Sequence, residues 1–178
     1  MAHISLDPNL PGMRSLLAFR PAIAPSLLGL MQTIMRSNIG LSIGERELIA
    51  TYVSKLNNCS QCFQIHGEVA KCFFIDQPTL INEILEDSNL STITERQNVI
   101  LNIAKNVQRG GLFVTAKQIE EAKLKGISEL EIHDIVLIAS LFCFFNKYSD
   151  GLGLTSNDTP ETLSKRGQIM AEFGYHID

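Results

Sequence analysis

Through most of the chain apolar residues recur three and four positions apart, the spacing that lines one face of an α-helix. Leu48, Ile49, Tyr52, Val53 and Leu56 form one such face. Ser42-Ile43-Gly44-Glu45 stands ahead of them as a capping box, in which the Ser42 hydroxyl and the Glu45 carboxylate each satisfy a free backbone N–H. Asn57-Asn58 interrupts the pattern, and Asn suits both the end of one helix and the cap of the next. The following helix is predicted to open at Cys59 and to run through Phe63, His66, Val69, Ala70 and Phe73. Asp76-Gln77-Pro78 starts a shorter one through Ile81, Ile84 and Leu85. A second capping box, Thr94 with Gln97, leads into Val99, Ile100, Ile103, Ala104 and Val107, and Gly110-Gly111 stops that helix. Thr115 with Gln118 opens the next, which ends at Gly126. Ser128 with Glu131 opens a long helix that is apolar on almost every side from Ile135 to Phe145 and gives out near Gly151 and Gly153. A helix apolar all round is buried in a core or in an oligomer interface. One more helix is expected over Glu161 to Phe173. At the other end, Leu10 to Asn38 is apolar but broken by Pro11, Pro21 and Pro25, and reads as loops with one helix starting near Pro25, where proline suits a first turn. No alternating β-branched run bounded by turn residues occurs. The prediction is an all-α chain in one domain over residues 1–178, with a helical arm at about 1–40 and a motif-bearing pair of helices at about 42–75.

Composition narrows this picture. A chain of 178 residues with 45% apolar content is enough for one domain with a sizeable core. A mean hydropathy of +0.11 calls for a search for a membrane span. The longest apolar run, Ile135 to Phe145, is interrupted by Ser140 and falls short of the roughly 20 residues that a spanning helix needs. No membrane partner is therefore expected. Fifteen basic against nineteen acidic residues give a net charge of −4, with no Lys/Arg cluster, which argues against nucleic-acid binding. The first residues, Met1 to Pro8, hold no basic segment followed by an apolar core, so a secretory signal is not expected and the compartment read from the sequence is a reducing cytoplasm. Four cysteines in such a chain do not make a disulfide scaffold.

The spacing of two of them is informative. Cys59, Cys62 and His66 stand at i, i+3 and i+7 of one predicted helix and so share a face. His66 lies one turn beyond Cys62, within reach of its sulfur. Both cysteines fall in the first turn, where free N–H groups and the helix dipole favour an anion and lower a thiol pKa from about 8.5. Cys62, which His66 is spaced to serve, is the candidate attacking thiol. Cys59, at the helix edge, is expected to be the more exposed sulfur and to act as the resolving thiol, closing a one-turn disulfide suited to cycling. Glu47, on the preceding helix, would orient His66 if the two helices fold back through Asn57-Asn58, following the logic of a nucleophile, a base and a group that orients the base. A zinc site is the main rival reading, but Cys72 is almost three turns beyond Cys62, too far to complete one. No metal, haem or other cofactor is required by these residues.

Glu47, Cys59-Ser60-Gln61-Cys62 and His66 together form a Glu-x11-Cys-x-x-Cys-x3-His pattern. In this the chain resembles the alkylhydroperoxidase D-like, peroxidase-related branch of the carboxymuconolactone decarboxylase superfamily. Gly40-Leu41-Ser42 followed by Glu45-Arg46-Glu47-Leu48-Ile49-Ala50 is similar to that branch's lead-in, and Phe144-Phe145-Asn146-Lys147 with Asp150-Gly151-Leu152-Gly153 to its C-terminal pattern. The likeness spans roughly Leu10 to Gly153. It implies an all-helical alkylhydroperoxidase D-like bundle and a homo-oligomer, a trimer or hexamer. It places the peroxidatic cysteine on Cys62, the resolving cysteine on Cys59 and the relay on His66 and Glu47. The implied activity is antioxidant reduction of organic hydroperoxides, with electrons from a dihydrolipoyl or thioredoxin-like dithiol and, in the best-studied type, onward transfer to a peroxiredoxin. A disulfide-reducing adaptor would use the same residues. A lactone decarboxylase is the third reading, and the superfamily's decarboxylases lack the cysteine pair. Where the family often has an aromatic residue or His before the second cysteine, this chain has Gln61, which holds a hydrogen bond but carries no proton near neutral pH.

The other candidates read as structural. Cys72 and Cys143 are expected as small buried residues, His133 and His176 as surface or cap residues, and His3 in a mobile terminus. Phe142, Phe144 and Phe145 are expected in the core or an interface rather than in a pocket, and Asn146 and Asp150 at helix-end hydrogen bonds.

Overall fold

A computed structural model describes residues 2–77, 79–86 and 93–175. Pro78 and His176 lie outside the described residues. Those described form helices α1 (Met13–Phe19), α2 (Ala24–Met35), α3 (Ile43–Leu56), α4 (Ser60–Lys71), α5 (Leu80–Leu85), α6 (Glu95–Arg109), α7 (Ala116–Leu124), α8 (Glu129–Gly151) and α9 (Pro160–Phe173), with no strand among them. The starts of α3, α6, α7 and α8 follow the caps read from the sequence, whereas α5 opens at Leu80 rather than at Asp76-Gln77-Pro78. Ser42/Glu45, Thr94/Gln97 and Ser128/Glu131 all close reciprocal capping boxes, and the Thr115 hydroxyl accepts from the Gln118 N–H.

The N-terminal arm departs from expectation. Met13–Phe19 is a helix rather than a loop, although Gly12 gives its N-terminus no side-chain cap. Its seven residues are too few for periodicity to stand out between Pro11 and Pro21. Burial of Leu16 and Leu17, and a bond from the Ser15 hydroxyl to the Gly12 carbonyl, hold it. Tertiary packing, not helix propensity, stabilises a helix this short. His3, expected in a mobile terminus, is in contact with the end of α8: its backbone N–H donates to the Leu152 carbonyl at 2.9 Å.

The main core gathers α2, α3, α6 and α8, with Met35, Ile49, Val53, Ile103 and Ile135 fully shielded. A smaller cluster joins Leu48, Ala70, Leu80, Ile81, Ile84 and Leu101 where α3, α4, α5 and α6 meet. The long apolar helix α8 is covered on one side only, since Ile135, Ile138 and Phe142 are buried while Phe144 is 49% exposed. No helix among the described residues is long and apolar enough to cross a membrane.

One charged side chain organises the region before the site. Arg46 of α3 is fully buried. It donates to the carbonyls of Ile34, Ile39 and Leu41 at 2.9, 2.6 and 3.1 Å and pairs with Asp134 of α8 at 2.9 Å. It thereby ties the α2–α3 connection to the start of α3 and to α8. On the opposite side α9 lies directly against α4. A Cβ on Gly167 would come within 2.5 Å of the Glu68 Cβ, so only glycine permits that approach.

Candidate active site

The reversal between α3 and α4 sets the site. Asn57 caps α3, and Asn58 takes a left-handed conformation at φ 58°, which Asn tolerates better than most residues. The chain turns back far enough for the Cys59 N–H to reach the Ser54 carbonyl at 3.0 Å. Cys59 is therefore the cap of α4 rather than its first helical residue. Its sulfur lies 2.9 Å from that of Cys62, one turn on, with the Cys59 thiol donating. All four cysteines are free thiols.

The two sulfurs are not equivalent. The Cys59 hydrogen bond is the largest influence on Cys62 and lowers its pKa. Burial opposes it, bonds from Asn146 and Ser149 reinforce it, the negative charge of Asp150 opposes it, and the balance leaves the thiol below its ordinary value. Cys59 moves the other way. Its bond to Cys62, then burial, then the charge of Cys62 and a bond to Asp150 all raise it far above the usual thiol range. The arrangement favours one thiolate on Cys62 and one thiol on Cys59.

Exposure reverses one expectation. Cys59 is wholly buried, whereas Cys62 keeps 9% of its surface. The edge of a helix is a free edge only if nothing crosses it, and the last turns of α8 cross this one, bringing Asn146, Ser149 and Asp150 to the thiols. Asn146 is 1% exposed, donates to the Ser54 hydroxyl at 3.0 Å and accepts from Asn57 at 2.8 Å. Asn146 thus bonds at the end of α3, as expected of a helix-end residue, and belongs to the thiol surroundings as well. Gln61 also faces α8, donating to Ser149 and, at 3.4 Å, to the Leu154 carbonyl.

Glu47 and His66 come together as their spacing anticipates. His66 Nδ1 stands 2.8 Å from Glu47 Oε2. Glu47 has no exposed surface, and its other oxygen accepts from Arg36 at 2.6 Å and from the Tyr175 hydroxyl at 2.7 Å. Burial presses the Glu47 pKa upward, but the hydrogen bond and charge of His66, with those of Arg36, outweigh it and hold the carboxyl below its usual value. Glu47 is thus a carboxylate that orients. With Nδ1 turned to Glu47, Nε2 is the His66 nitrogen left for another partner.

A cavity of about 790 Å³ opens on Cys62 and His66, walled by α1, α2 and α9 and by Phe142, Phe145 and Tyr175. Phe142 and Phe145 are core residues and cavity wall at once. The Phe142 ring meets the His66 ring edge-on, with centroids 4.6 Å apart. Phe144 takes no part in the wall and stacks on Tyr148 instead. Cys72 and Cys143 are half-buried rather than buried as expected, and His133 is exposed beside Asp134.

Sequence reasoning missed Arg36, Tyr175 and Ser149. One indirect signal existed for Arg36: a carboxylate inside an apolar helix face needs a cation nearby, and Arg36 is the basic residue that ends the apolar stretch before it. Tyr175 follows Gly174, with no motif to mark it.

No family model and no curated protein matches this chain. Solved structures do resemble it, among them the following two. The alkylhydroperoxidase AhpD core of an uncharacterized peroxidase-related protein from Ralstonia eutropha JMP134 superposes with a TM-score of 0.78 at 24% identity, over 89% of this chain and 82% of that one. An uncharacterized peroxidase-related protein from Silicibacter sp. TM1040 superposes with a TM-score of 0.74 at 23% identity, over 84% and 76%. At such identities the likeness is one of fold. The all-helical alkylhydroperoxidase D-like bundle expected from the motif is the fold this chain has.

Proposed function

We propose that the protein is a thiol-dependent hydroperoxidase acting on organic hydroperoxides. The observation that carries this reading is the asymmetric pair: a hydrogen-bonded Cys62 of lowered pKa at the cavity, with a protonated Cys59 held 2.9 Å behind it. The Cys62 thiolate attacks the distal oxygen of the hydroperoxide. A sulfur–oxygen bond forms, the oxygen–oxygen bond breaks, and the departing alkoxide leaves as the alcohol by taking from His66 Nε2 the proton that Nε2 accepted from the Cys62 thiol when the thiolate formed. Cys62 is then a sulfenic acid. The Cys59 sulfur attacks it, and water leaves as the disulfide closes. A dithiol of the dihydrolipoyl or thioredoxin-like kind returns two electrons and two protons, closing its own disulfide. The mostly apolar cavity wall supports a carbon-bearing peroxide, and the cycle suits a reducing compartment such as the cytoplasm.

The test is hydroperoxide consumption by the purified protein with dithiol alone. Turnover without a second protein supports the peroxidase reading, whereas transfer of electrons only when a peroxiredoxin is added would favour the adaptor. In Cys59→Ser, one equivalent of peroxide should react and cycling should stop, with a sulfenic acid trapped on Cys62. Trapping on another residue, or continued cycling, sinks the assignment of roles.

The proposal extends to a homo-oligomer, a trimer or hexamer. The exposed Leu112, Leu124 and Phe144 support burial between copies. Light scattering at micromolar concentration should give a mass that is a multiple of three chains, and a monomer would refute it.

A further inference from the structure

We propose that Tyr175 is a positioning residue of the peroxide-reducing step, fixing the proton of His66 on Nδ1 through Glu47 and so directing Nε2 at the departing oxygen. This rests on the hydroperoxidase reading of the site. Three contacts meet here and leave one consistent assignment of hydrogens. The Tyr175 hydroxyl is 2.7 Å from Glu47 Oε1 and 3.3 Å from His66 Nδ1, and Nδ1 is 2.8 Å from Glu47 Oε2. Arg36 donates to Oε1 at 2.6 Å, so the carboxylate is already matched by a fixed positive charge and has no reason to take a proton itself. Glu47 then accepts from both neighbours. Tyr175 donates to it, leaving its phenol oxygen free to accept, and Nδ1 carries the hydrogen that both oxygens face.

The segment that delivers Tyr175 is built for close placement. Gly174 has φ 80°, and a Cβ there would collide with the Gln32 side chain. The Tyr175 N–H donates to Gln32 Oε1 at 2.8 Å. The ring lies nearly parallel to that of His66, centroids 6.0 Å apart, with the Arg36 guanidinium 4.8 Å from its centre. Without the hydroxyl, Glu47 Oε1 loses one donor and the imidazole loses one of the two oxygens that hold its Nδ1–H.

The discriminating variant is Tyr175→Phe, which keeps the ring and deletes the hydroxyl. Oxidation of Cys62 would be followed by acid quench and mass spectrometry with two oxidants. tert-Butyl hydroperoxide expels a strongly basic alkoxide that needs a proton, whereas peroxyacetic acid expels acetate, which does not. Tyr175→Phe should react on the order of 10-fold more slowly than the parent with the alkyl hydroperoxide, a fraction of a full acid–base contribution. It should stay within about twofold of the parent with the peroxy acid, since no acid–base contribution is then lost. Equal slowing with both oxidants would mean general damage to the site, and parental rates with both would mean that the hydroxyl does nothing; either overturns the proposal. A parent protein that fails to oxidise Cys62 with tert-butyl hydroperoxide would instead remove the hydroperoxidase reading and this one with it.

Discussion

Cys62→Ser should reduce hydroperoxide turnover to the uncatalysed background, a loss on the order of 10³-fold or more. A serine hydroxyl at this position is not ionised near neutral pH and cannot form the sulfenic acid on which the rest of the cycle depends. The fold should survive, because the variant exchanges one hydrogen-bonding atom for another beside Cys59, Asn146 and Ser149. The same substitution should remove the site-specific alkylation that identifies the thiolate in the parent. The Cys62 pKa lies below its ordinary value, so the reactive anion is present above that lowered pKa and is lost only as the pH falls through it. Iodoacetamide labelling of Cys62, resolved by mass spectrometry, should therefore persist on the acid side of about 8.5, where a free thiol stops reacting. Cys72 should differ, since burial and the charge of Glu68 raise it. Substantial peroxide turnover in Cys62→Ser would end the assignment.

Arg46→Met should destabilise the fold by about 3–5 kcal/mol, the scale of breaking a buried charge pair from one side. Methionine fills much of the volume but restores none of the bonds. The carbonyls of Ile34, Ile39 and Leu41 lose their donor, and Asp134, only 15% exposed, loses its cation. Urea denaturation of parent and variant measures the difference, and a fall in melting temperature on the order of 10 °C should accompany it. A loss under about 1 kcal/mol would show that water or a shift of the loop satisfies those carbonyls, and Arg46 would no longer count as the tie between α2, α3 and α8.

Helix positions were legible because their signals are local. Ser42, Thr94, Thr115 and Ser128 each mark a start by chemistry confined to one turn. The Glu47–His66 contact was legible for a related reason: the two helices are adjacent in the chain, and Asn57-Asn58 leaves little choice but a tight reversal. What escaped depends on elements far apart in sequence. Arg36 and Tyr175 reach Glu47 from α2 and from beyond α9, and their convergence on one carboxylate is a property of packing that neither segment encodes alone. The exposure of Cys59 was misjudged on the same ground, since helical spacing says which face a residue shares but not what lies across that face. Helix α1 escaped for the opposite reason: it is local but too short to show a period.

Burial of Cys59 has a kinetic consequence for the proposed cycle. An incoming dithiol finds only the Cys62 sulfur at the cavity, so attack there must expel Cys59 as the leaving group. Thiol–disulfide exchange slows as the pKa of the leaving thiol rises, and burial and the bond to Asp150, which remain when Cys62 is tied to the incoming thiol, both raise Cys59. The burial that hides Cys59 therefore resists the return journey. At steady state the protein would stand mostly in its disulfide form, with its throughput set by the supply of reductant rather than of peroxide.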